Sequence, residues 1–111
     1  MSTDKYKLEG HKAVPCEDLM EWARWFETAD RHVAKTILKG PGNIDIKVST
    51  VFLSLNHNWG EGNPILFETM VFGGPLDQRM ERYGTWDEAD AGHKRWVKKV
   101  NKQVKSNKVR D

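Results

Sequence analysis

The chain has one cysteine, Cys16, in 111 residues. That excludes an internal disulfide and a thiolate zinc site, and it fits reducing surroundings. Long apolar runs are also missing. No segment approaches the roughly 18 consecutive apolar residues of a membrane span, and the start does not have the basic-then-apolar form of a signal peptide. Both point to a soluble, cytoplasmic protein without membrane contact. Nine glycines are present, yet none falls in a G-x-x-x-x-G-K or a G-x-G-x-x-G pattern that would cradle phosphate. Neither a helix-turn-helix nor an RNA-recognition signature occurs, and there is no internal repeat. A chain of this length holds one core.

Acid is absent from one region. Between Lys94 and Arg110 there are eight basic residues and no carboxylate, which leaves residues 1–93 with ten basic and fifteen acidic ones. The body is acidic and the tail basic. Such a run reads first as a solvated helix face ending in a frayed terminus, and second as a weak nucleic-acid contact or an attractor of acidic surfaces.

What is present is a pattern of two helical stripes around strand-forming runs. Residues 1–5 are expected to be disordered, residues 6–105 to form one domain, and residues 106–111 to be a frayed basic tail. Tyr6 to Gly10 suits a short edge strand. Val14-Pro15-Cys16-Glu17-Asp18 resembles a helix start, and Leu19, Trp22, Phe26, Ala29, Val33 and Ile37, spaced three or four apart, predict a helix to about Leu38. Glu27 and Arg31 would pair on its exposed side. Gly40-Pro41-Gly42-Asn43 then breaks the chain.

Ile44 to Leu55 and Ile65 to Phe72 predict an antiparallel hairpin, and Met80 to Tyr83 a third, short strand. Thr85-Trp86-Asp87-Glu88 matches a capping box, and Trp86, Ala89, His93, Trp96, Val100 and Val104 mark one stripe of a second helix. The expected fold is α+β: an antiparallel three- to four-stranded sheet packed by two amphipathic helices, in the order β-α-β-β-β-α. Both faces of the hairpin strands carry apolar residues. With two helices on one face, the other is expected to form a homodimer.

Candidate chemistry concentrates in the loop from 56 to 64. His57 supplies a titratable donor or ligand and Trp59 a stacking surface, although Asn56, Asn58, Gly60 and Gly62 are also what a turn alone requires. Glu68 is a carboxylate in a strand otherwise suited to burial, with Arg79, Arg82, His57 or His93 as partners; on an open face it is only a polar position. His93 lies on a core stripe and reads as a hydrogen-bonded core histidine. His57, Glu68 and His93 would make a two-histidine, one-carboxylate metal set only if they converge. Cys16 reads as a capping or packing residue. Three of the five tryptophans, Trp22, Trp86 and Trp96, are assigned to packing.

Val14-Pro15-Cys16, Glu21-Trp22 through Phe26-Glu27, Asp30-Arg31, Val48-Ser49-Thr50-Val51-Phe52-Leu53, Phe67-Glu68-Thr69-Met70-Val71-Phe72-Gly73, Glu81-Arg82-Tyr83, Thr85-Trp86-Asp87-Glu88-Ala89 and Ala91-Gly92-His93 together resemble a small protein family encoded by tailed bacteriophages. The resemblance spans about residues 6 to 97. It implies a phage protein in the host-cell cytoplasm and carries no established activity. Where many members have Gly-Leu-Asp-His, this chain has Ser54-Leu55-Asn56-His57, which favours binding over catalysis.

The expected function is a non-enzymatic accessory protein that occupies a host protein or sequesters a small-molecule ligand. Its binding residues would be His57, Trp59, Glu68, Arg79, Arg82 and Tyr83. No catalytic residue, metal ligand or cofactor is assigned. A metal-assisted hydrolase of nucleotides or nucleic acid, and a nucleic-acid binder using the basic tail, are the alternatives.

Overall fold

A computed structural model describes residues 4–58 and 60–109, with the side chains of 106–109 excepted. A two-stranded antiparallel hairpin, β1 (Tyr6–Glu9) and β2 (Lys12–Pro15), turns tightly through Gly10, at φ +63°, and His11. The positive φ at that corner suits glycine because no Cβ meets the backbone. Helix α1 (Leu19–Thr28) follows, then β3 (His32–Lys39), a single 3-10 turn (Pro41–Asn43), β4 (Asp45–Phe52), β5 (Phe67–Phe72), β6 (Met80–Tyr83) and α2 (Trp86–Val109). Strands β3-β4-β5-β6 form one antiparallel sheet in chain order. The class is α+β, as the sequence predicts. The predicted hairpin, third short strand and second helix are all present.

The first helix is shorter than its stripe implies. Asp18 caps it, its Oδ1 accepting from the N–H groups of Met20 (2.9 Å) and Glu21 (3.0 Å), so Val14 and Pro15 belong to β2 rather than to a helix start. At the other end Ala29 is extended, and Asp30 Oδ1 accepts from His32 N–H at 3.0 Å, which turns the chain out of the helix. Residues 32–39 then pair along β4 as the fourth strand of the sheet. Val33 and Ile37 are four apart, an even spacing that fits either a helix stripe or a strand, and the β-branched Val33, Thr36 and Ile37 favour the strand. The expected Glu27–Arg31 pair gives way to a different contact. Arg31 donates to the Phe52 carbonyl at 3.1 Å and lies over the Phe26 ring at 4.3 Å.

Residues 1–3 and 110–111 lie outside the described residues. Asp4 and Lys5 are already tied in, through Asn56 N–H to Asp4 O (2.9 Å) and Cys16 N–H to Lys5 O (2.8 Å). Cys16 is buried, in keeping with a packing role.

One face of the sheet is buried. Ile46, Val48, Thr50 and Phe52 of β4 alternate inward with Phe67, Thr69 and Val71 of β5, under α2. The core has two parts. One gathers Tyr6, Phe52, Leu66, Phe67, Tyr83 and Ala89, with Trp25 of α1 and Trp86 of α2 packed against it; the other gathers Ile46, Val48, Val71, Leu76, Val100 and Val104. Both helices therefore reach the same sheet face. The opposite face is open and mixed: Ile37, Phe72 and Met80 are exposed beside Lys35, Lys47, Glu68 and Arg82.

The second helix begins at the predicted capping box. Glu88 N–H donates to Thr85 Oγ1 at 3.2 Å, and the Thr85 hydroxyl reaches Glu88 Oε1 at 3.0 Å. The side-chain oxygen satisfies an N–H that the first helical turn leaves without a partner.

Candidate functional site

The loop between β4 and β5 is held by its asparagines. Asn56 Oδ1 accepts from the N–H groups of Asn58 (2.8 Å) and Ile65 (2.9 Å), while Asn58 donates to Asn63 O at 2.9 Å and accepts from Gly60 N–H at 3.1 Å. These bonds do the work of a turn. His57 N–H donates to Ile65 O at 2.9 Å, and its Nδ1 lies 2.9 Å from Leu55 O. A carbonyl can only accept, so Nδ1 carries a proton and donates it to Leu55 O. Trp59 lies outside the described residues.

The other expected binding residues do not assemble with His57. Glu68 sits on the open sheet face and pairs across the strands with Arg82, whose Nε is 3.0 Å from Glu68 Oε2. Tyr83, next in β6, points the other way and is buried under α2. Arg79 is exposed in the turn before β6, at the end of the sheet away from the 56–64 loop. His93 is on the buried face, so the His57, Glu68 and His93 set does not converge. Among the described residues no three His, Cys, Asp or Glu side chains are placed to share a metal ion.

His93 instead belongs to a buried polar chain that the sequence pattern did not reveal. Its Nδ1 is 2.7 Å from Thr50 Oγ1 and its Nε2 is 2.9 Å from Thr36 Oγ1. Thr50 and Thr69, opposite each other on β4 and β5, are hydrogen-bonded through their hydroxyls, and Tyr83 Oη lies 3.1 Å from Thr69 Oγ1. Tyr83 also donates to Glu81 Oε1 at 3.2 Å, an oxygen that accepts from Trp96 Nε1 and Arg95 Nη2 at 3.0 Å each.

Direction along this chain follows from its anionic end. A carboxylate only accepts, so Tyr83 gives its proton to Glu81 and takes one from Thr69; Thr69 takes from Thr50, and Thr50 from Nδ1–H of His93. His93 Nε2 then accepts from Thr36. Every buried side-chain N and O among the described residues has a partner.

The electrostatics agree. Burial holds the His93 imidazole below the ordinary histidine range, against a smaller opposing pull from Asp90. Burial also pushes the Tyr83 hydroxyl up. Glu81 is held below the usual carboxylate range, because the upward push of burial is outweighed by the hydrogen bonds from Trp96, Arg95 and Tyr83. All three states favour a neutral histidine, a protonated phenol and an ionised carboxylate.

No family model, curated protein or solved structure matches this chain.

A concavity lies elsewhere, between the β1–β2 hairpin and the start of α2. It encloses about 570 Å³, within the range that accommodates a small organic molecule. Tyr6, Leu66, Phe67 and Trp86 supply apolar wall, Glu9, His11, Lys12 and Asp87 supply charge and hydrogen-bonding groups, and Pro64 joins it to the 56–64 loop. His11 stacks flat on Trp86, with ring centroids 3.9 Å apart and planes within 5°. Phe67 meets the same indole edge-on at 6.3 Å. Trp86 lies on the core stripe of α2 and packs against Phe67. Its ring is only half-buried, and the hairpin that brings His11 onto it has its sequence signal in the Gly10-His11 turn between short alternating runs.

Proposed function

We propose that this protein is a non-enzymatic binding module, a phage accessory protein that acts by occupancy on a host factor or a small ligand in the host cytoplasm. The observation that carries the reading is the groove beside Trp86. An aromatic wall with a histidine, a lysine and two carboxylates around it offers stacking area together with a few orienting polar groups, the usual composition of a small-molecule or side-chain pocket. The adjoining 56–64 loop adds the His57 imidazole within the same end of the molecule.

Replacing His11 with Ala and Lys12 with Glu removes the stacked ring and reverses one charge without touching the buried core. Host proteins or metabolites retained by the immobilised wild type should be lost from this variant while its melting curve stays close to wild type. Equal retention by the two would discard the groove as the site.

The reading includes a homodimer through the open sheet face, supported by the exposed Ile37, Phe72 and Met80 there. Sedimentation should then give twice the 12.8 kDa chain mass, and Phe72→Glu should return the monomer. A wild-type monomer at all concentrations would remove the dimer from the proposal.

A further inference from the structure

The exposed face of α2 goes beyond the groove, because it brings one sign of charge into a single stripe. Lys94, Arg95, Lys98, Lys99, Lys102 and Lys105 are all exposed, whereas His93, Val97, Val100 and Val104 turn toward the sheet. At about 100° per residue the first group occupies one side of the helix, centred nearly opposite the core-facing side. The stripe therefore lies on a convex surface that a large partner can reach.

Two of the six are already neutralised. Lys94 pairs with Asp90 at 3.1 Å and Arg95 with Glu81 at 3.0 Å. Lys99 lies 4.8 Å above the Trp96 ring and keeps its charge. Lys98, Lys102 and Lys105 have no acidic partner among the described residues. Four net positive charges remain between Lys98 and Lys105, within about 10 Å of helix axis at ~1.5 Å per residue. The same length of a nucleic-acid duplex carries about six phosphate charges.

We propose that this face of α2 binds the phosphate backbone of double-stranded nucleic acid, independently of sequence. Complementarity is of charge and of shape: a cationic ridge along one helix against a regular anionic rod. Trp96, the aromatic ring beside the stripe, is partly buried and has the Lys99 ammonium over it, and this favours a duplex over a single strand. Longer side chains from successive turns reach phosphates as point charges, which positions the protein without reading bases.

The test measures anisotropy of a labelled 20-base-pair DNA duplex titrated with the full chain between 50 and 200 mM salt. With four phosphate contacts the logarithmic salt slope is expected near −3.6, a loss of about 100-fold in affinity over that range. The variant Lys98→Gln/Lys102→Gln/Lys105→Gln should retain its melting temperature, since these side chains are exposed, and lose only about 3-fold over the same salt range. Absence of saturable binding at 50 mM salt overturns the proposal, as does a variant that binds like wild type. Displacement of the duplex by polyglutamate at equal charge concentration also overturns it, by making the face a docking surface for acidic protein.

Discussion

Gly92→Ala lowers stability by about 3 kcal/mol, although the same change in an exposed helix would raise it by about 1 kcal/mol. The sign reverses because of Tyr83. A Cβ built on Gly92 would lie 2.2 Å from Tyr83 Oη and 2.3 to 2.4 Å from two of its ring carbons, distances that no real side chain tolerates. The ring has nowhere to go. Its hydroxyl is bonded to Thr69 and Glu81, and its edge is packed among Phe67 and Ala89. Either α2 lifts from the sheet or the phenol leaves the polar chain, and both break buried contacts.

Denaturant unfolding should show the loss as a lower midpoint, with a fall in melting temperature on the order of 10 °C for a domain of this size. Tyr83→Leu is destabilising on its own, since it deprives Thr69 and Glu81 of a partner. In combination with Gly92→Ala, however, the two costs should sum to clearly more than the double variant shows, by about 1 kcal/mol or more. Strict additivity would mean that the close approach of Tyr83 to Gly92 is not what requires glycine.

Acid weakens the fold in two stages. The folded pKa of His93 is depressed, so the native state keeps the imidazole neutral while the unfolded chain takes up a proton as pH falls below about 6.5. The unfolded state then binds more protons, and stability declines from that point down to the folded pKa, by at most about 1.4 kcal/mol per pH unit for one group. Glu81 is shifted in the same direction, so its contribution is present above about 4.5 and is lost as pH drops through its lower folded value.

Protonation of His93 also conflicts with the hydrogen bonds, because a cationic ring has two donors and Thr36 must then give up its donation to Nε2. His93→Gln keeps one donor and one acceptor but cannot titrate. Urea melts of wild type should lose stability between pH 7 and 5, and the variant should be nearly flat over that interval. A wild type that is itself flat there would show that His93 does not enter the fold as a neutral group.

Several features were legible along the chain, for reasons local to each. The capping box at Thr85 and Glu88 depends on residues three apart, and the stripe of α2 on a single helical period, so neither needs knowledge of the partner surface. The β4–β5 hairpin follows from two β-branched and aromatic runs separated by polar turn residues. The asparagine-built loop at 56–64 was visible as a turn, and hydrogen bonds within it confirm that use of Asn56 and Asn58.

The end of α1 was not legible. Spacings of three and four continued past Ala29 through Val33 and Ile37, and a pair four apart is even, so it satisfies a strand as well as a helix. Pairing of β3 with β4, a contact between segments joined by a short turn but fixed by the sheet, decided the matter. Equally hidden was the partnership of His93. Thr36, Thr50 and Thr69 are scattered over 33 residues of sequence, and only the register of three adjacent strands lines their hydroxyls up beneath one helix.

By itself, then, the sequence determined the α+β class, the capped second helix and the one-sided basic face, since each rests on period and composition within a single segment. Tertiary structure alone decided that residues 32–39 complete the sheet, that Glu68 and His93 face opposite sides, that Gly92 admits Tyr83, and that His11 reaches Trp86 to wall a groove. Those outcomes depend on strand register and on hairpin docking, long-range geometry that no local pattern encodes.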